Sequence, residues 1–232
     1  MKNHIKTKDP VNQSLITLET KIGLQTLGVM NNAVWFEDPK RLVFTLARYK
    51  FVAKMLTGKD QVAEIGCGDG FGSRIVRQAV GSLLITDYDS YFIEKFNQQA
   101  CEQWQTEAKT HDILKAPLSV EMDAIYSLDV LEHISPELES IFLENICLSL
   151  KKSSCTIIGI PSLESQAYAS PGSREGHINC MSGITLQNLL LQYFDHVFLF
   201  SMNDEVVHTG FSKMAHYLLA LCVNPKGKRK CI

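Results

Sequence analysis

The chain has 232 residues, of which 45% are hydrophobic, and its net charge at pH 7 is −2. This length and hydrophobic content predict one large globular domain and exclude an intrinsically disordered chain. The lack of a basic excess disfavours a nucleic-acid substrate. No stretch of about 18 apolar residues occurs, so no membrane-spanning helix is expected.

The seven cysteines are scattered along the chain without any CxxC pair. This pattern predicts neither a disulfide framework nor a zinc site, and a reduced cysteine in an apolar stretch packs as a small core residue. The polar first ten residues lack the apolar segment of a signal peptide. We therefore expect a cytoplasmic protein.

Residues 1–37 are expected to form an N-terminal arm or lid with one or two short helices, ahead of a single domain over residues 38–232. Helical spacing of apolar residues follows Asp38, and further helices are predicted over 71–79, 90–107, 136–150 and 182–193. Strands are predicted over 61–65, 82–86, 108–111, 123–128, 155–160, 196–201 and 216–223.

This alternation of strands and helices predicts an α/β fold with a seven-stranded, mostly parallel sheet and helices on both faces. No helix separates the last two strands, so an antiparallel C-terminal strand pair is expected. Residues 161–181 form a long polar loop, and loops of this length in compact domains are commonly functional.

A glycine-rich turn follows the first predicted strand, where residues 64–72 read E-I-G-C-G-D-G-F-G. Glycine lets the backbone approach a ligand closely, and the next helix adds free N–H donors. A dinucleotide-binding turn would place its third glycine at position 71, which is Phe71. Glu64 and Asp69 would repel a pyrophosphate, but they suit a ligand with an ammonium group and ribose hydroxyls.

Carboxylates also end the next two predicted strands. Asp87 lies 19 residues after Gly68, where it is placed to accept hydrogen bonds from two ribose hydroxyls. Asp112 is placed to accept a hydrogen bond from an adenine amine, with Ile113 packed on the ring. The plainer alternatives are a helix cap at Asp87 and a turn former at Asp112.

Together, E-I-G-C-G-D-G, T-D-Y-D, H-D-I and D-A-I-Y-S-L-D-V-L-E-H-I resemble the successive motifs of class I S-adenosylmethionine-dependent methyltransferases, over roughly residues 40–160. The resemblance is to the small-molecule branch of methyltransferase type 11/12-like enzymes. It implies a Rossmann-like fold and S-adenosyl-L-methionine as the cofactor. The cofactor-binding residues that it implies are Glu64, Gly66, Cys67, Gly68, Asp87, Tyr88, Asp112, Ile113, Ser127, Leu128 and Asp129.

Methyl transfer is an in-line displacement, so the protein must position the nucleophile and, for oxygen or nitrogen, can remove its proton. Histidine suits that role because its pKa is near neutral. His133 follows the fourth strand and His177 lies in the long loop, and we expect both to be catalytic. The alternative for each is a purely structural role.

Substrate contacts are expected from the arm, the first long helix and the long loop. The candidates are Trp35, Arg48, Arg174, Glu175 and Asn179. Arg48 is placed to hold the methionyl carboxylate or an acidic substrate. The motif-bearing positions do not supply a convincing carboxylate triad, so no metal is expected.

The sequence therefore predicts a methyltransferase acting on a small molecule or a sugar-containing metabolite, with O-methylation slightly favoured. The alternatives are an N-methyltransferase of a small amine or amino sugar, a methyltransferase of RNA or protein, a non-catalytic S-adenosylmethionine-binding module, and an NAD-dependent oxidoreductase. The expected partner is a small-molecule substrate, without nucleic acid or membrane, and the expected state is a monomer or homodimer.

Overall fold

The structure, a computed structural model, describes residues 6–99 and 102–227. The α-helices are α1 Gln13–Ile22, α2 Val29–Glu37, α3 Pro39–Met55, α4 Ser73–Arg77, α5 Ser90–Gln98, α6 Glu139–Leu148, α7 Pro171–Gly176 and α8 Gly183–Leu190. The strands are β1 Gln61–Ile65, β2 Ser82–Asp87, β3 Glu107–Thr110, β4 Met122–Leu128, β5 Leu150–Pro161, β6 Phe194–Asn203, β7 Val206–His208 and β8 Tyr217–Pro225. Two of the cysteines discussed above, Cys101 and Cys231, lie outside the described residues.

All eight strands form one sheet in the order β3-β2-β1-β4-β5-β8-β6-β7. The first five strands in that order are parallel, and β8, β6 and β7 join as antiparallel strands. The predicted α/β fold class is confirmed, but the sheet has eight strands rather than seven. The added strand, β7, has three residues and pairs with the end of β6 through a tight turn at Asp204, whose φ is 48°. A strand of three residues shows no readable alternation.

Helices cover both faces of the sheet. One core cluster joins α3, α4 and α5 to the sheet, and the other joins α6 and α8 to its opposite face. Neighbouring residues of β4 point to opposite faces, so Ile125 belongs to the second cluster and Tyr126 to the first. Both side chains are fully buried, because helices cover both faces of the sheet. The sequences of the central strands are therefore continuously apolar rather than alternating.

Several predicted boundaries change where tertiary pairing overrides local propensity. The helix predicted over 90–107 divides into α5, a 3₁₀ turn at Glu102–Trp104 and the start of β3, because β3 pairs with β2. The predicted loop over 161–181 contains a 3₁₀ turn at Glu164–Tyr168 and the short helix α7. Ser170 caps α7 by accepting a hydrogen bond from the Ser173 amide.

The N-terminal arm contains α1 and α2, and α2 ends at Glu37, immediately before the predicted start of the domain. Within the described ranges, no helix is both long enough and apolar enough to cross a membrane. The carboxyl ends of β1, β2 and β4 meet at one edge of the sheet, since these strands are parallel neighbours. The turns that follow them carry most of the predicted site residues.

The core on the α6 face can be tested at Phe142, which is fully buried. Replacing it with alanine removes a large apolar side chain and leaves a cavity. We expect Phe142→Ala to lower the free energy of unfolding by about 3–5 kcal/mol. Phe198→Ala is the matched control, because that side chain is 54% exposed, and it should change stability by about 0.5 kcal/mol. Equal losses in urea titrations would contradict this description of the core.

Candidate active site

The glycine-rich turn after β1 is held in a conformation that side chains disfavour. Gly66, Gly68 and Gly70 have φ values of 75°, 52° and 66°, in the left-handed region. The amides of Gly66 and Cys67 both donate to the Thr86 carbonyl, at 2.8 and 3.0 Å. The turn is therefore bound to the end of β2, and its backbone lies open to close approach.

Glu64 lies beneath this turn and is 1% exposed. Its carboxylate accepts hydrogen bonds from the hydroxyls of Tyr49, at 2.8 Å, Tyr126, at 2.7 Å, and Ser73. Burial raises the pKa of Glu64 to about 7, although these three donors oppose the rise. Both carboxylate oxygens have protein partners, so Glu64 orders the turn from below.

Asp87 ends β2 and faces the turn. One of its oxygens accepts a hydrogen bond from the Gly68 amide and the other from the Asp89 amide, each at 2.9 Å. The helix-capping role belongs to Asp89, which accepts from the Tyr91 amide at 2.9 Å. Each oxygen of Asp87 retains a second acceptor position for a ligand hydroxyl.

The other two predicted strand-tip contacts lie differently. The Asp112 carboxylate accepts from the Leu114 amide at 3.0 Å and pairs with Lys115 at 3.1 Å, as a turn former does. Ile113 is buried in the core cluster on the α6 face. Tyr88 is 76% exposed beside Asp87. The adenine contacts of Asp112 and Ile113 therefore remain a prediction.

At the end of β4, Asp129 forms the central ion pair of this edge. Arg48 Nη1 lies 2.8 Å from Oδ1 and 2.6 Å from Oδ2 of Asp129. The Asp129 backbone has a φ of 57°, an uncommon conformation for a non-glycine residue that turns the chain sharply out of the strand. The Ser127 hydroxyl donates to the Ile65 carbonyl, and Leu128 is buried, so only the backbone of these two residues is available to a ligand.

The segment after Asp129 brings the two candidate histidines together. The rings of His133 and His177 lie 5.2 Å apart in an edge-to-face arrangement. Burial lowers the pKa of His177, and His133 adds to this shift, so the His177 ring is neutral near pH 7. Glu132 lies beside them and is fully buried.

The remaining predicted substrate residues divide into two groups. Asn179 lies next to this cluster through its backbone, whose N–H donates to the Glu132 carbonyl at 2.9 Å and ties the long loop to the end of β4. Its side-chain amide donates instead to Glu139 Oε2 at 3.0 Å. Arg174 and Glu175 are exposed on α7, and Arg174 is engaged with the Ala169 carbonyl at 2.9 Å. Trp35 is 54% exposed on α2.

The N-terminal arm contacts the glycine turn directly. The Asn31 backbone and side-chain amides donate to the two oxygens of Asp69 at 2.8 and 2.7 Å. The Met30 sulfur lies 2.7 Å from where a β-carbon on Gly68 would stand. These contacts are those expected of a lid, a role that stays a prediction.

Tyr217 and His216 are among the side chains of the site that were not predicted from the sequence. Tyr217 lies under the Arg48 guanidinium, whose carbon is 3.8 Å from the ring centroid. The Tyr217 hydroxyl, Arg48 Nε and His216 Nε2 are buried and have no hydrogen-bond partner within the described part of the chain. His216 and Tyr217 begin a segment whose sequence has only the pattern of an ordinary strand. The antiparallel pairing of β8 with β5 brings this segment to the site.

Residues 62–153 match the family model described as a methyltransferase domain. No curated protein matches the chain. The match covers the glycine turn, the strand tips and the segment containing Glu132 and His133.

Solved structures give the same fold. The N-methyltransferase NodS from Bradyrhizobium japonicum WM9, in complex with S-adenosyl-L-homocysteine, is 18% identical, with 94% of this chain and 100% of that chain covered at a TM-score of 0.61. A SAM-dependent methyltransferase from Thermotoga maritima is 15% identical, with 83% and 94% covered at 0.63. Magnesium protoporphyrin IX methyltransferase (ChlM) from Synechocystis PCC 6803 with bound SAM is 14% identical, with 95% and 87% covered at 0.55.

At these identities the structural likeness establishes the fold. Together with the methyltransferase-domain match over residues 62–153, it supports the class predicted from the sequence, the class I S-adenosylmethionine-dependent methyltransferases, and S-adenosyl-L-methionine as the cofactor.

The buried Glu64 carboxylate makes stability depend on pH. Its pKa is about 7 in the folded chain against 4.5 as the ordinary value. The folded state therefore holds this proton more tightly, so the contribution is present below about pH 4.5 and is lost as the pH rises through about 7. The difference corresponds to about 3 kcal/mol.

Glu64→Gln cannot titrate, so its unfolding free energy should fall less between about pH 5 and about pH 8 than that of the unmodified chain. Urea unfolding of both proteins at matched pH values measures the difference. Two parallel pH profiles would contradict the raised pKa.

Proposed function

We propose that this chain transfers the methyl group of S-adenosyl-L-methionine to an oxygen atom of a small molecule. The observation that carries the proposal is the convergence, at one sheet edge, of a glycine turn and the acidic tips of β2 and β4 within a methyltransferase domain.

The residues at this edge fit such a cofactor. The turn from Gly66 to Gly72 contains Asp69 and no lysine or arginine, so it lacks the side-chain cations that stabilise phosphates. Asp87 would accept hydrogen bonds from the ribose hydroxyls while it holds the Gly68 amide. Arg48, with a buried and unpaired Nε, and Asp129 would hold the methionyl carboxylate and ammonium groups.

When bound, the cofactor supplies a methyl group already activated on a sulfonium. The protein's own task is to bring the acceptor atom in line with that methyl group and to exclude water. His133 and His177 would form a polar wall at the end of β4 where the acceptor would lie, and the backbone N–H of Asn179 holds the long loop against it. The arm, through Met30 and Asn31, would close the glycine turn from solvent.

One observation favours N-methylation of a small amine as the second candidate. Glu132 is a buried carboxyl group without a hydrogen-bond partner in the described residues, and as a carboxylate it would accept a proton from the amine, which frees the nitrogen lone pair for attack on the methyl group. Labelled methyl transfer to matched panels of small alcohols, phenols and amines separates the two. Transfer to amines alone would overturn the proposed O-methylation.

Cofactor choice can be tested by ligand binding without a known substrate. S-adenosylhomocysteine should raise the melting temperature of the protein, and NADH should not, because acids surround the turn. Stabilisation by NADH alone would overturn the proposal in favour of an oxidoreductase.

Asp87 is the residue proposed to accept hydrogen bonds from the ribose hydroxyls of the cofactor. Asp87→Ala should weaken binding of S-adenosylhomocysteine by about 1.5–3 kcal/mol, since it removes charge-assisted hydrogen bonds to two hydroxyls. Asp195→Ala is the matched control, as Asp195 is exposed on β6, and calorimetry should give unchanged affinity. Equal affinities for both variants would exclude the ribose contact.

The role of His177 is tested on an acceptor found in the panels. His177→Ala should reduce methyl transfer by about 100-fold, because the ring faces the acceptor position, while affinity for S-adenosylhomocysteine stays within about twofold. His196→Ala changes an exposed histidine of β6 and should retain full activity. An unaffected rate in the His177 variant would remove this residue from the mechanism.

A further inference from the structure

Three side chains at the end of β4 are arranged as metal ligands. One carboxylate oxygen of Glu132 and one ring nitrogen each of His133 and His177 lie within 4.8 Å of one another. Glu132 and His133 lie in the 3₁₀ turn that follows β4, and His177 lies at the end of α7. No metal was expected from the sequence, because the motif-bearing positions do not supply a carboxylate triad.

Each of the two imidazole rings has its Nδ1 next to an oxygen acceptor. His133 Nδ1 lies 2.8 Å from the Gly176 carbonyl, and His177 Nδ1 lies 3.1 Å from Gln166 Oε1. An oxygen acceptor requires a proton on each Nδ1, so Nε2 is the nitrogen of each ring that can bind a metal ion. Metal-binding histidines are commonly oriented in this way.

The Gln166 side chain is itself fixed in the required orientation. Its Nε2 donates to the Ser162 carbonyl at 3.2 Å and to the Ser165 hydroxyl at 3.3 Å. The amide oxygen therefore points to His177, where it accepts the Nδ1 proton. Gln166 and Gly176 therefore fix the two rings by accepting hydrogen bonds from their Nδ1 atoms.

Glu132 is the member of the cluster that lacks a protein partner. It is fully buried, and neither carboxylate oxygen has a hydrogen-bond partner in the described part of the chain. The Arg48 guanidinium is nearby, but its Nη1 binds both oxygens of Asp129. An uncompensated buried carboxylate is costly, and a cation in the cluster would compensate it.

We propose that Glu132, His133 and His177 bind one divalent transition-metal ion of the Zn²⁺ type. Two imidazole nitrogens favour this class over Mg²⁺ or Ca²⁺, which prefer all-oxygen ligands. Three protein ligands leave a position for water or for an oxygen of the substrate. The site goes beyond the proposed methyl transfer and does not depend on the cofactor assignment.

The test measures metal binding directly, with the full chain stripped by a chelator. Calorimetry with Zn²⁺ should give one equivalent per chain, and Co²⁺ should give visible absorption bands of a nitrogen- and oxygen-ligated ion. Glu132→Gln and His177→Ala should each lower the Zn²⁺ affinity by at least about 100-fold, which is the upper range for loss of an outer partner. His196→Ala should bind as tightly as the unmodified protein.

Gln166→Leu tests the positioning role while all three ligands remain. It should lower the Zn²⁺ affinity by about 10–100-fold and leave S-adenosylhomocysteine affinity unchanged. Far-UV circular dichroism checks that each variant is folded, and Glu132→Gln suffices if the His177 variant is not. Absence of one-equivalent binding to the unmodified protein, or equal binding to the Glu132 and His196 variants, would overturn the site. Since the readout is the metal itself, a failure to bind S-adenosylhomocysteine tests only the proposed function.

Discussion

The site depends on the hydrogen bonding of one buried carboxylate. Glu64 accepts hydrogen bonds from hydroxyls on α3, α4 and β4, so these three elements are fixed to β1 next to the glycine turn. A carboxylate in a dry environment is unfavourable unless its lone pairs are satisfied, and three donors satisfy them. The interaction also fixes position: with Tyr49 bound to Glu64, the preceding residue Arg48 is held over the end of β4.

The charge distribution around Arg48 follows from that placement. Its guanidinium is paired with Asp129 and packed on the Tyr217 ring, so the pair is close to neutral within the site. Glu132, three residues beyond Asp129, is buried and has no hydrogen-bond partner among residues 6–99 and 102–227. The polar wall that faces the proposed methyl-transfer position therefore contains one buried carboxyl group without a hydrogen-bond partner in the described residues, and burial raises its pKa well above the ordinary value.

Much of the fold could be predicted from the sequence because its central elements have strong local signals. β1 begins and ends at the predicted residues. The positions of Glu64 and Asp87 could be predicted because each lies at the end of a strand beside the glycine-rich turn. The sequence could not distinguish a ligand contact from a turn former at Asp112, since both need an acid after a strand. Its two local partners, Leu114 and Lys115, become visible only in the structure.

The long-range parts of the site were beyond local analysis. Tyr217 reads as one apolar position in a strand, and only the antiparallel pairing of β8 with β5 brings it beside Arg48. The approach of His177 to His133 depends on how residues 161–181 fold back over the end of β4, through Asn179 and Gln166. Loop conformations of this kind are set by a few side-chain hydrogen bonds, and these cannot be predicted from the periodicity of apolar residues in the sequence.

The central claim is that the edge formed by the glycine turn, Asp87 and Asp129 is the cofactor site. A crystal structure of the protein with S-adenosylhomocysteine tests it most directly. The account predicts ribose hydroxyls within hydrogen-bond distance of Asp87 and the amino-acid end of the ligand against Asp129 and Arg48. A ligand bound away from residues 66–70, without contact to Asp87, would contradict it.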